Sequence, residues 1–158
     1  MRIGMIIHSQ TGHTLSVAEK AGDRLRAAGH EVTLIALKTA TPASGPARAS
    51  AEPLVFPPLT GFDGLVFGSH VEAGGLAPAM RQALSGMASI TGKKAACLVT
   101  QHFPFAWLGA KRALLQMDVL CLGKGASAVI GTSVQWGARD RDARIGQALD
   151  AICNTFPA

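Results

Sequence analysis

The chain has 158 residues, of which 48% are hydrophobic and 16% charged, with a net charge of +5. That length and composition suit one globular domain spanning residues 1–158 and exclude a disordered chain. No apolar run is long enough to span a bilayer, polar residues interrupt "MRIGMIIHSQ" too early for a signal peptide, and scattered basic residues without any tyrosine argue against nucleic acid as a partner, so the chain reads as cytosolic.

Residues 2–7, "RIGMII", form a short apolar run expected of a strand buried on both faces. From Thr14 the period changes. Leu15, Ala18, Ala21 or Gly22, Leu25 and Ala28 recur at steps of three and four, which predicts an amphipathic helix stopped by Gly29. "EVTLIAL" at 31–37 reads as a second strand. Between Lys38 and Asp63 lie five of the eight prolines, so this segment is expected to be an extended crossover with at most one helical turn, around Ala47–Ala51. Strands follow at 64–69, 94–100 and 126–132. Helices alternate with them: one opened by Pro78 and running to about Ala88, one over Gly109–Met117, and one capped by Asp140 and ending near Phe156. Strands alternating with helices predict an α/β fold with a parallel sheet and right-handed crossovers.

In such sheets ligands sit beyond the carboxyl ends of the strands. The first strand ends in "HSQTGHT", the third in "GSHVEAGG" and the fourth in "TQHFPFAW", and these loops hold His8, His13, His70 and His102, four of the five histidines. The first loop carries the hydroxyls of Ser9, Thr11 and Thr14 around Gly12 at the start of a helix, where backbone N–H groups and the helix dipole favour an anion. It lacks the lysine of a triphosphate loop and the three glycines of a dinucleotide loop, and so suits a single phosphate monoester. A plain Ser/Thr helix cap is the competing reading.

"SQTGHT" resembles the T/S-x-T-G-x-T phosphate loop of the flavodoxin family. "GFDGLVFGSHVEAGG" and "KKAACLVTQHFPFAWLGAKRALLQM" are similar to that family's third and fourth strands with their flavin loops. The likeness covers nearly the whole chain. It implies a flavodoxin-like three-layer sandwich with a five-stranded parallel sheet in the order 2-1-3-4-5, and FMN as cofactor. Under that resemblance Ser9, Gln10, Thr11, Gly12, His13 and Thr14 hold the phosphate. Ser69, His70 and Val71 border one side of the flavin ring, and Thr100, Gln101, His102 and Phe103 border the other, with Phe105 or Trp107 as lids. The sequence departs from the family pattern in having no tyrosine, no aromatic in "SHVEAGG", a basic rather than acidic balance, and His13 where asparagine is usual.

The implied function is electron transfer through bound FMN, to or from a redox partner protein or a small-molecule acceptor. Two alternatives stand beside it: an NAD(P)H-dependent FMN or quinone reductase, and an interaction module without cofactor. Cys97, Cys121 and Cys153 form no CxxC pair, and Cys97 reads as a small core residue. No metal is expected, since the histidines lack paired spacing. Trp136 is expected beside the site or at the sheet edge, and "RDRDAR" at 139–144 as a solvated helix start. No nucleophile elbow is present.

Overall fold

The computed structural model of the protein describes residues 1–37, 56–105 and 109–158; the forecast turn around Ala47–Ala51 and the forecast lid Trp107 lie outside the described residues. The elements in chain order are β1 (Arg2–His8), α1 (His13–Ala27), β2 (Glu31–Leu37), β3 (Gly64–Glu72), β4 (Gly75–Leu76), α2 (Pro78–Gly86), β5 (Lys94–Gln101), α3 (Ala110–Gly123), β6 (Ala128–Gln135) and α4 (Arg141–Thr155). The five long strands run parallel in the spatial order β2-β1-β3-β5-β6, which is the order 2-1-3-4-5 that the resemblance implies.

The three central strands, β1, β3 and β5, are almost continuously buried, because helices cover both of their faces. On one face Ile3, Met5, Ile7, Val66, Ala96 and Leu98 pack against α1 and α4; on the other Ile6, Phe67, Cys97 and Val99 pack against α2 and α3. Burying each larger side chain contributes about 1.5–3 kcal/mol. The edge strands β2 and β6 are only half-buried, which is why their apolar runs are less pure. Among the described residues no helix is long and apolar enough to cross a membrane.

The forecast helix stop at Gly29 is a Schellman motif: His30 N donates to Leu25 O at 3.0 Å and Gly29 N to Arg26 O at 2.9 Å. Other boundaries move. Helix α3 continues to Gly123 rather than Met117, since Ala110, Ala113, Met117 and Cys121 form one buried stripe. Its outer face carries exposed Leu115, Val119 and Leu122, which blurred the apolar period. Helix α2 stops at Gly86 instead of Ala88, and the last strand lies two to three residues later than 126–132. Asp140 holds the N-cap position of α4, but its side chain makes no cap bond. Arg144 Nε donates to its carboxylate at 2.8 Å instead, and this bond lowers the Asp140 pKa. Cys97 is fully buried, and a hydrogen bond with Cys121 together with burial raises its thiol pKa well above the usual range.

One strand went unforecast. "VEAGGL" is not an open loop but a hairpin in which β4 pairs antiparallel with β3, Val71 opposite Leu76 and Glu72 opposite Gly75. The two linking residues both have positive φ, Ala73 at 50° and Gly74 at 76°, as a type I′ turn requires. A left-handed alanine costs about 1–2 kcal/mol, whereas asparagine tolerates this region. Ala73→Asn is therefore expected to stabilise the protein by about 1 kcal/mol, read as a rise in melting temperature of about 2–4 °C.

Candidate functional site

Three loops leave the carboxyl ends of β1, β3 and β5, and because these strands are neighbours the loops meet. Gln10, Thr11, His13, His70, Val71, Thr100, Gln101 and His102 line one groove with a volume of about 230 Å³. That is below the roughly 300–1,000 Å³ of sites that enclose a drug-sized ligand, so a ligand of that size would keep part of its surface in water.

The first loop ends at Gly12, the N-cap residue of α1, with φ 86° and ψ −7°. A side chain at this φ would be strained, so glycine is what lets the chain turn directly from strand into helix. No side chain caps the helix, and no acidic residue stands in its first turn. Ser9 Oγ accepts from Gly12 N at 3.1 Å, and Ser16 N donates to Gly12 O at 2.9 Å. The N–H groups of His13, Thr14 and Leu15 find no acceptor among the described residues. The plain Ser/Thr cap is thus not formed, and the helix start presents free donors beside the exposed Thr11.

Thr14 has a different place. It is buried, and its hydroxyl lies 2.7 Å from that of Thr100 on β5, tying the first loop to the third. Gly68 permits this: a Cβ there would stand 2.7 Å from Ile7 Cδ1 and 3.2 Å from Thr14 Cγ2, so the helix start sits almost on the β3 backbone. In the second loop Ser69 is fully buried and donates to His70 O at 3.2 Å, away from the groove lining. In the third loop Gln101 splits its amide between two backbone groups. Its Oε1 accepts from Ala110 N at 3.0 Å and its Nε2 donates to Phe103 O at 3.2 Å, so it fixes the start of α3. Phe103 and Phe105 are exposed and outside the groove lining.

Histidines and one tryptophan complete the surroundings. The His13 ring stacks on Trp136 with centroids 4.0 Å apart and 13° between planes, and the Arg141 guanidinium lies 4.9 Å from the Trp136 ring centroid. The expectation for Trp136 thus resolves to the site side rather than the outer edge. Arg141, read from sequence only as part of a charged helix start, donates to Trp136 O at 3.3 Å. Trp136 N in turn donates to Gln101 O at 2.7 Å. His8, at the end of β1, is 3% exposed, and its ring centroid is 5.0 Å from that of His70. Burial lowers the His8 pKa, the nearby His70 adds to this, and a hydrogen bond to the Leu37 backbone opposes it. Glu72 Oε2 stands 3.4 Å from His70 Nε2 without the alignment of a hydrogen bond. Among the described residues no group of three or more His, Cys, Asp or Glu gathers as a metal site.

No protein-family model matches the chain, and no curated protein matches it. Solved structures do match over nearly its full length. A flavodoxin, WrbA-like protein from Agrobacterium tumefaciens is 15% identical with a TM-score of 0.68, covering 98% of this chain and 96% of the other. Oxidised Flavodoxin 2 from Bacillus cereus is 18% identical with a TM-score of 0.68, covering 99% and 100%. A flavone reductase is 13% identical with a TM-score of 0.69, covering 98% of this chain and 62% of the other. By strand order, layering and these likenesses, the chain has the flavodoxin-like fold.

Proposed function

We propose that the protein binds FMN in the groove between the β1, β3 and β5 loops and transfers electrons through it. The observation that carries this reading is the uncapped start of α1, with its free N–H groups and Thr11 hydroxyl, at one end of the groove that the three loops share. The donor set suits a terminal phosphate: fixed backbone donors, a hydroxyl and no opposing carboxylate in the first turn. Bound there, FMN would supply the redox chemistry, while the protein supplies binding, orientation and electrostatics. Ser9 holds the loop closed through Gly12 N, and Gln101 holds the β5 loop by its two backbone bonds. His13, His70, His102 and Val71 would meet the ring, since no Phe, Tyr or Trp is among the described residues that line the groove.

The electron partner is proposed to be acidic. Lys111 and Arg112 stand exposed in the first turn of α3, at the end of the sheet where the groove opens, while at the start of α4 the exposed Arg139 and Arg141 alternate with Asp140, which pairs with Arg144, and Asp142, so the basic excess rests mainly on α3. Cations oppose the helix dipole there, and they would steer a negatively charged surface or small acceptor toward the groove.

Titrating the purified protein with FMN and following flavin absorbance and fluorescence tests the reading. Saturable binding at micromolar concentration supports it; no binding leaves the interaction module as the better account. The alternative is a reductase that uses NAD(P)H directly. Stopped-flow mixing of the FMN complex with NADH and NADPH separates the two, since direct reduction within a catalytic cycle belongs to the reductase and dependence on a separate donor to the shuttle.

A further inference from the structure

We infer that the open sheet edge at β6, together with the outer face of α3, docks a second copy of this chain, with the two β6 strands pairing antiparallel across a two-fold axis. The inference is independent of the FMN reading above.

Strand β6 pairs with β5 residue for residue over Ala128–Gln135, and no bulge interrupts the ladder. Its outer edge holds backbone N–H and C=O groups with no strand beside them among the described residues. Proteins usually guard such an edge with a charge, a proline or a bulge, and the eight residues "AVIGTSVQ" have none of these. The opposite edge differs: Glu31 opens β2, and Arg26 Nη2 donates to Val32 O at 3.3 Å.

Beside β6, helix α3 leaves Leu115, Val119 and Leu122 exposed, by 62%, 61% and 49%. Leu115 also borders a groove of about 290 Å³ between α3 and β6, with Leu114 and Asp118 on the helix side and Val129 and Gly131 on the strand side. On the other face of the strand Ile130 is exposed as well, so the edge is open on both sides. Apolar surface gathered along an unpaired edge marks a site of association.

Spacing, angle and charge all fit the chain's own image. Helix α3 packs on β5 and β6 alike, so it lies over the line between them. With strands about 4.8 Å apart, pairing β6 with its copy sets the two α3 helices about 9.6 Å apart, within the roughly 8–10 Å of packed helices. The sheet twist over two strand spacings turns them by about −40 to −50°, close to the angle at which rows of residues four apart interdigitate. Two such rows face the edge: Lys111, Leu115 and Val119, and Leu114, Asp118 and Leu122. The register follows from Leu114, whose Cδ2 lies 3.2 Å from where a Gly131 Cβ would stand, level with the middle of β6. A two-fold axis at that level puts Leu115 of one chain at the groove of the other. It also sets Lys111, three residues before Leu114, opposite Asp118 of the copy, three residues after Leu115. Arg112, on the hairpin side of α3, stays outside the contact.

Sedimentation velocity of the purified full chain, with hydrogen exchange of the β6 amides, tests the inference. A reversible monomer–dimer equilibrium at micromolar concentration is expected, with the β6 amides exchanging more slowly in the dimer than after dilution. Leu115→Lys should give a monomer with the far-UV circular dichroism of the native chain, since the side chain is on the surface. Lys111→Asp or Asp118→Lys alone places like charges opposite each other twice per dimer and should weaken association at least about tenfold. Both in one chain restore opposite charges and should return the affinity to within about threefold of native. A native chain that stays monomeric overturns the inference and leaves the edge to a strand of a different protein. A dimer indifferent to Leu115→Lys, or one whose β6 amides exchange as fast as in the monomer, overturns it too, because the contact then lies elsewhere. Failure of the double charge reversal to restore association overturns the two-fold register.

Discussion

Thr11→Val is expected to reduce FMN affinity about tenfold to a hundredfold while leaving riboflavin affinity nearly unchanged. Thr11 lines the groove at the start of α1, is exposed, and is not used to cap the helix. Valine keeps its shape and removes only the hydroxyl. A hydrogen bond to a charged group contributes about 1.5–3 kcal/mol, and about 1.4 kcal/mol is a factor of ten in affinity. Riboflavin lacks the phosphate and so has nothing to lose at this position. Parallel fluorescence titrations with the two flavins measure the difference. Equal losses would assign Thr11 to the ring end or to the loop's own structure, and would sink the phosphate role.

The second large effect concerns stability. Thr14 Oγ1 and Thr100 Oγ1 are 2.7 Å apart in a buried site, joining the first and third loops. Thr14→Val leaves the Thr100 hydroxyl buried without that partner, at a cost of about 1–3 kcal/mol, and Thr100→Val does the same in reverse. Replacing both removes the polar pair together and keeps its shape, so Thr14→Val with Thr100→Val should recover most of the loss. Urea unfolding of the two single variants and the double gives the coupling directly. Additive losses would mean that each hydroxyl has a separate partner, and the tie between the loops would not exist. Since the hydroxyls bond each other, FMN affinity in the double variant also separates their structural role from any role toward the phosphate.

The fold was largely legible because its signals are local. Central strands covered by helices on both faces must be apolar throughout, and "RIGMII", "GLVFGS" and "KAACLVT" are. Helix α1 announces itself by a three-and-four spacing and a terminating glycine. The structure departs from the sequence pattern where local signals conflict. Helix α3 extends beyond its apolar period because Leu115, Val119 and Leu122 put apolar side chains on its exposed face. The hairpin of β3 and β4 has no local signature because alanine is an unusual occupant of a left-handed turn position.

Within the candidate site the division is similar. The alternation of strands and helices, the polar loop at the end of each of three strands, and the lack of a lysine or triple-glycine signature in the first loop are all carried by composition and period, residue by residue. The strand order came from the family resemblance, and that the three loops meet follows from β1, β3 and β5 being neighbours. Only the tertiary structure decided what each polar side chain is used for. Thr14 looked like a loop hydroxyl and is committed to Thr100; Gln101 looked like a ring contact and holds the start of α3. His8 looked like the end of a strand and faces His70 across 5.0 Å. A hydrogen-bond partner 86 residues away, as Thr100 is from Thr14, and a ring neighbour as distant in sequence as His70 is from His8 are chosen by the packing of β1, β3 and β5 side by side, and no local pattern encodes that choice.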